Sequence, residues 1–263
     1  MNVVIGALSD IGTHKAVNQD AAAAAVSHSG IGRSAFAIVC DGVGSYSKSE
    51  MASSYAVNRF INWFCEDYRR IADIADEESF CSDLYECWHN MLYGINAEIY
   101  SYYEKYGNKL GTTLSCLLVR NGKYYIFHVG DTRIYSLDEG VKCLTLDHTV
   151  AQKEIDSGLA TPEQMANDRK RHILTKCVGS RERVKPDFYS GDTAGNVKYL
   201  LCSDGFRDRI SEDRLYERLY KNKPVKKKKL EKAIEEVISS VKKAGEKDNI
   251  TAIIVQISED NKK

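Results

Sequence analysis

The sequence predicts an α+β fold in which two antiparallel sheets pack face to face with helices outside them. Three observations carry this: short β-rich runs come in two batches, long amphipathic segments come in two batches, and several β runs are joined by tight turns. Hairpins in succession build antiparallel sheet, because parallel neighbours need long crossovers. At 263 residues the chain can bury a substantial core as one large domain or two small ones, and it shows no internal repeat and no linker rich in Pro, Gly or Ser.

In chain order, residues 3–9, 21–26 and 35–40 read as strands. A helix follows over 49–71, with Ala52, Ala56, Phe60 and Phe64 near one face. A second helix covers about 80–106, where Leu84, Trp88, Leu92 and Ile95 recur at three or four residues, the spacing of a buried stripe. Strands at 112–119 and 124–129 flank Asn121-Gly122, the strongest hairpin signal in the chain. Strands at 133–137 and 141–144 continue the meander through Asp138-Glu139-Gly140. Residues 148–183 break the pattern, are rich in charge, and contain a helix start at Thr161-Pro162-Glu163-Gln164. Strands resume near 185–189 and 197–202, two short helices fit within 204–221, a longer one runs over 225–244, and the last strand is 250–257. The lysines at 226–229 open that long helix, whose Leu230, Ala233, Ile234, Val237 and Ile238 form an apolar stripe, so they read as a solvated face.

Composition excludes several classes. With 37 basic and 37 acidic residues the chain has no broad footprint for nucleic acid or an anionic membrane. Its eight cysteines sit mostly in apolar segments such as Leu200-Leu201-Cys202, which suits buried free thiols in a reducing compartment. The N-terminus lacks a basic stretch followed by a long apolar one, and no run is long enough to span a bilayer. The expectation is a soluble, cytoplasmic protein.

Four aspartates carry the functional meaning. Asp41 in Val39-Cys40-Asp41-Gly42, Asp131 in Val129-Gly130-Asp131, Asp204 in Cys202-Ser203-Asp204-Gly205 and Asp248 in Lys247-Asp248-Asn249 each stand at the end of a β run beside a glycine or asparagine. Carboxylates at strand exits lie where core meets solvent, and several converging there make a site for hard, oxygen-loving cations.

The order of the motifs is also informative. Asn18-Gln19-Asp20, Asp41-Gly42-Val43-Gly44, Gly111-Thr112-Thr113, Val129-Gly130-Asp131-Thr132-Arg133, Asp147-His148-Thr149, Ser203-Asp204-Gly205 and Asp248-Asn249-Ile250-Thr251 occur in sequence and spacing. In this the chain resembles the metal-dependent protein Ser/Thr phosphatases, PPM or type 2C, in their compact bacterial form, over almost its whole length. The resemblance implies a four-layer αββα sandwich, a single domain over 1–263 with a flap insertion at about 149–172, and a metal cleft at one sheet edge. It implies that Asp41 bridges two Mn²⁺ or Mg²⁺ ions, that the Gly42 carbonyl binds one, and that Asp204 and Asp248 hold the other. Asp131, with Asp204, matches positions that bind a weaker third ion in some members. Asp20 takes a supporting role on metal-bound water. Asn249 is read as fixing the rotamer of Asp248, and Thr251 as a β-branched start to the last strand.

Three departures stand out. Many relatives carry an arginine before the Asn-x-Asp tripeptide that grips substrate phosphate in a bidentate fork, where this chain offers Lys15. Lysine keeps the charge and loses the fork, and a solvated loop cation is its alternative reading. Ser45 replaces a glycine. Val43 stands where animal members have a histidine assigned as general acid; His14 is near in sequence but reads as a loop histidine. Among other candidates, His128 reads as a hydrogen-bonded sheet histidine and His148 as structural at the base of the flap. Cys177-Val178-Gly179-Ser180-Arg181-Glu182-Arg183 matches the Cys-x₅-Arg spacing of cysteine phosphatases, but 173–179 reads as a helix ending at glycine, the wrong polarity for a phosphate cradle. Two function classes follow: a two-metal hydrolase of phosphoserine and phosphothreonine in proteins, opposing a kinase, and a catalytically silent phosphoprotein-binding module on the same fold. Asp41, Asp204 and Asp248 are all present, which favours catalysis.

Overall fold

The computed structural model describes residues 1–43, 46, 48–166, 168–220 and 225–259. Ser45 lies outside them. Among the described residues ten strands form two five-stranded sheets: β1 (Asn2–Asp10), β10 (Ile250–Ser258), β9 (Val197–Cys202), β6 (Arg133–Leu137) and β7 (Val141–Cys143) in that spatial order, and β2 (Asp20–Ser29), β3 (Gly32–Asp41), β4 (Leu114–Arg120), β5 (Lys123–Val129) and β8 (Asp187–Asp192) in the other. Every pairing is antiparallel.

The side-chain period of two, imposed by the pleat, sorts the strands into three cores. In β3, Phe36, Ile38 and Cys40 face the helices on one side, while Ala35, Ala37 and Val39 face the other sheet. In β10, Ile254 and Ala252 face a second helix layer and Ile253 and Val255 the sheet–sheet core. Three cores between four layers are what an αββα sandwich requires, and buried runs with no polar alternation follow from sheets covered on both faces.

One outer layer is α1 (Ser49–Asn62), α2 (Arg69–Ala72) and α3 (Glu77–Tyr106). α3 begins three residues before the expected 80 because the Asp76 side chain accepts from the Ser79 N–H, and it ends at Gly107, whose φ of 70° suits glycine. The expected helix over 49–71 carries a π turn at Trp63–Asp67. There Phe64 stacks on Tyr68 at 4.9 Å and Trp63 meets Trp88 edge-on at 5.9 Å, so aromatic packing fills the widened turn. The Asn121-Gly122 turn has φ of 46° and 76°, the paired positive values a two-residue hairpin needs.

The opposite layer is α6 (Asp204–Arg207), α7 (Glu212–Leu219) and α8 (Lys227–Lys243), whose Leu230, Ile234, Val237 and Val241 are buried. Between β7 and β8 lie α4 (Val150–Asp156), α5 (Pro162–Met165) and a 3₁₀ turn, Arg169–His172. Thr161 and Gln164 form the reciprocal capping box their spacing predicts.

One expected element is absent. Residues 173–179 form no helix and run irregularly with isolated bridges at Leu174 and Val178, because tertiary partners take their backbone groups: Thr175 N–H donates to His148 O at 2.8 Å, and Val178 and Thr112 exchange bonds of 2.8 and 3.1 Å. Gly179 keeps a φ of 85°, but in a turn packed on Ile99.

Candidate metal centre

The fold brings five aspartates to one end of the sandwich. Asp20 opens β2 and Asp41 closes β3, and antiparallel register sets them side by side. Asp41 is fixed by its backbone: its N–H donates to Thr113 Oγ1 at 2.8 Å, and its carbonyl accepts from Thr113 N–H at 2.8 Å and Thr112 Oγ1 at 3.0 Å. Gly42 is required by close approach, since a Cβ there would lie 2.7 Å from Gln19 O and 2.9 Å from Ser49 O. Asp131 follows Gly130, which has a φ of 113° and donates its N–H to His148 Nδ1 at 3.0 Å. Asp204 starts α6, directly after β9. Asp248 precedes β10, with its N–H on Glu246 Oε1 at 3.0 Å. Asp41, Gly42, Asp131, Asp204 and Asp248 line one cavity of about 550 Å³, bordered by Arg169, Arg171 and His172 of the 149–172 segment. Asp20 lies behind it, buried.

The electrostatics of this cluster favour cations. Burial, then repulsion from Asp20, Asp204, Asp131 and Asp248, pushes the Asp41 carboxyl well above the usual range. Burial pushes Asp20 up to about 7, against hydrogen bonds from Thr251 and Ser203. Burial and the Asp204 charge raise Asp131 to about 8. Burial pushes Asp204 the same way, yet the His172 hydrogen bond and the Arg207 charge bring it below its ordinary value. One Asp20 oxygen accepts from Ser203 Oγ at 2.9 Å while the other, Oδ1, is buried with no hydrogen-bond partner among the described residues. Hard oxygen donors, mutual repulsion and an orphaned carboxylate oxygen together fit Mn²⁺ or Mg²⁺.

The other expected residues fall as follows. Lys15 Nζ sits 2.8 Å from Asp248 Oδ1, and its charge also acts on Asp41 and Asp204, so it stands beside the carboxylate cluster paired with a candidate metal ligand. The Asn249 side chain does not hold Asp248. Its Nδ2 donates to Ile11 O and Val17 O at 2.9 and 3.2 Å and its Oδ1 accepts from Gln19 N–H at 2.9 Å, tying down the β1–β2 loop, while its backbone N–H reaches Asp248 Oδ1 at 2.8 Å. Thr251 does more than start a strand: its hydroxyl meets Ser9 Oγ at 2.7 Å and supports Asp20. Val43 lines the cavity, and His14 bonds the neighbouring Thr13 at 2.9 Å on an exposed loop. His128 is buried between Ser115 Oγ at 2.8 Å and Leu146 O at 3.0 Å. His148 Nε2 faces Asp187 at 3.1 Å, joining the base of the 149–172 segment to β8. Cys177 is buried and burial pushes its thiol up, the reverse of an activated thiolate.

Sequence reasoning missed Asp208 and His172, whose ligand atoms with Asp204 lie within 4.8 Å of one another. Asp208 stands four residues after Asp204, a helical spacing that puts both on one face and was there to be read. His172 comes from the 149–172 segment, and nothing in its local sequence indicates where that segment lands.

The class these features define is that of an αββα sandwich with a cleft of carboxylates at one end. The chain belongs to the protein phosphatase 2C family, whose sequence profile matches residues 12–254. It is 26% identical over 259 residues to protein phosphatase PhpP of Streptococcus pneumoniae, covering 98% of both chains. It is 28% identical over 225 residues to the serine/threonine phosphatase stp of Listeria monocytogenes, covering 83% of each. The fold matches that of serine/threonine phosphatase Stp1 from Staphylococcus aureus with a TM-score of 0.83 at 24% identity, covering 98% of this chain and 96% of that one. It also matches the catalytic domain of PstP in complex with two manganese ions, with a TM-score of 0.75 at 22% identity, covering 98% and 99%.

Proposed function

We propose that the protein hydrolyses phosphoserine and phosphothreonine in proteins with a metal-activated water, opposing a Ser/Thr kinase in cytoplasmic signalling. The observation that carries this reading is the convergence of Asp41, Asp131, Asp204 and Asp248 on one cavity with Asp20 behind them. Family membership and relatives named as Ser/Thr phosphatases support the substrate class. Among the described residues no helix is long and apolar enough to cross a membrane.

In this reading Asp41, the Gly42 carbonyl, Asp204 and Asp248 hold two Mn²⁺ or Mg²⁺ ions, and Asp131 with Asp204 holds a third. Such ions, when bound, supply a water acidic enough to attack at neutral pH and positive charge for the phosphoryl oxygens. Asp20, steadied by Ser203 and Thr251, has an oxygen with no hydrogen-bond partner among the described residues, and that oxygen would be the acceptor for a water held in the cluster. Val43 offers no proton, so the chain supplies no acid from that position to the departing seryl or threonyl oxygen. Residues 149–172 act as a flap of a single domain, bordering the cavity and influencing which phosphoproteins enter.

The test is phosphate release from a phosphothreonine peptide with Mn²⁺ and its loss on chelation. No release above an Asp204→Ala control would refute hydrolysis and leave the silent binding module as the reading.

A further inference from the structure

The cleft is anionic before a substrate arrives. Among the described residues, seven acidic side chains line it, and a phosphomonoester brings about two further negative charges. Ions bound as proposed above would meet part of that charge, and the protein's own cations on the cavity wall are what this chain adds to orient the phosphate. Among the described residues these are Arg169, Arg171, His172 and Arg209.

Most are already committed. Arg171 Nη2 lies 2.5 Å from Asp208 Oδ2, and its Nη1 donates to Ala166 O at 2.6 Å. His172 lies 3.4 Å from Asp204 and 3.6 Å from Asp208. Lys15, outside the lining, is held on Asp248. Arg209 differs. Its Nε lies 3.5 Å from Glu246 Oε2, and its side chain is 54% exposed. Among the described residues no hydrogen bond engages its two terminal nitrogens, which form the edge of the guanidinium that matches a phosphate. Glu246 is itself fixed, since Oε1 accepts from the N–H groups of Lys247 and Asp248 at 2.7 and 3.0 Å. Arg209 is thus a fork whose Nε side is drawn toward Glu246 by a loose ion pair and whose Nη1/Nη2 edge is open to a phosphate. Arg169 stands on the 3₁₀ turn of the flap, and among the described residues no side-chain partner restrains it.

We propose that Arg209 is the substrate-binding residue that grips the phosphate group through its Nη1/Nη2 edge, with Glu246 holding the Nε side. This rests on the phosphatase reading above.

The experiment uses Mn²⁺-loaded protein as wild type, Arg209→Gln, Arg209→Lys and Arg169→Gln. Calorimetric titration with inorganic phosphate is combined with kcat and KM for a phosphothreonine peptide. Arg209→Gln should weaken phosphate binding and raise KM by about 10- to 100-fold, with the Mn²⁺ half-saturation unchanged. Arg209→Lys should fall between, because it restores charge without the fork. The proposal is overturned if Arg209→Gln binds phosphate like wild type, or if Arg169→Gln carries the loss. It is equally overturned if the loss tracks an equal shift in Mn²⁺ half-saturation, which would mean that Arg209 acts only through Glu246 and Asp248. Phosphate binding that depends on Arg209 in a wild type without turnover would sustain the assignment and refute the phosphatase reading.

Discussion

At the scale of single residues, the polar groups around the centre divide into those that point at the cavity and those that hold the loops carrying them. Asn249 belongs to the second kind: one amide satisfies three backbone groups of the 11–19 loop. Asn249→Ala should cost about 1–2 kcal/mol in denaturant unfolding through the loss of these loop hydrogen bonds; a change under about 0.5 kcal/mol would contradict that role. His128 makes a pH prediction. Burial, then the His148 charge, lowers it to about 4 from 6.5. A histidine depressed in the folded state contributes stability that is fully present above pH 6.5 and is lost as pH falls through 4. The slope of unfolding free energy between those values should be shallower in His128→Gln than in wild type, and identical slopes would count against it. Which residues were legible follows from the same division. Asp41, Asp131, Asp204 and Asp248 are each marked locally, by a β run and a glycine or asparagine. Asn249 was found but given the wrong partner, because its contacts lie more than 200 positions away in the chain. Arg209 and His172 carry no local mark, since their meaning depends on which surface they face.

At the scale of elements, the chain is most readable where period and burial agree. The Leu84, Trp88, Leu92, Ile95 stripe predicts a helix face, and Trp88 is fully buried against Phe36, Phe60 and Phe127. Trp88→Ala should destabilise by about 3–5 kcal/mol, read by thermal or chemical unfolding. Alternation in β3 and β10 is less readable, because both faces are covered and the central positions, 35–40 and 252–255, are all apolar; only the tertiary structure says which side meets helix and which meets sheet. The helix expected over 173–179 fails for a related reason. Its composition permits a helix, but pairing with Thr112 and His148 satisfies the backbone without one, and tertiary partners outweigh a weak local preference. Residues 149–172 are legible as an interruption with a capping box at Thr161, whereas their seating over the cavity is not.

At the scale of the whole molecule, the sandwich gathers like charges that the fold alone does not neutralise. Asp41, Asp20 and Asp131 are all raised, the latter two to about 7 and about 8, by burial first and by neighbouring carboxylates, Asp204 among them in every case, second. A carboxyl raised in the folded state contributes stability that is fully present below its unfolded value near 3.8 and is lost as pH rises through its folded value. The metal-free protein should therefore lose stability from this cluster as pH rises from about 4 to 8. Mn²⁺, which must displace those protons, should raise Tm more at pH 8 than at pH 5. A Tm increment that shrinks with rising pH would contradict this. The measurement that tests the central claim most directly is hydrolysis of a phosphothreonine peptide by metal-stripped protein titrated with Mn²⁺, repeated with Asp41→Ala, Asp204→Ala and Cys177→Ser. Turnover should saturate with Mn²⁺ in wild type and Cys177→Ser and fall by at least about a thousandfold in both aspartate variants. Turnover without metal, or turnover that survives Asp41→Ala and Asp204→Ala, would contradict it.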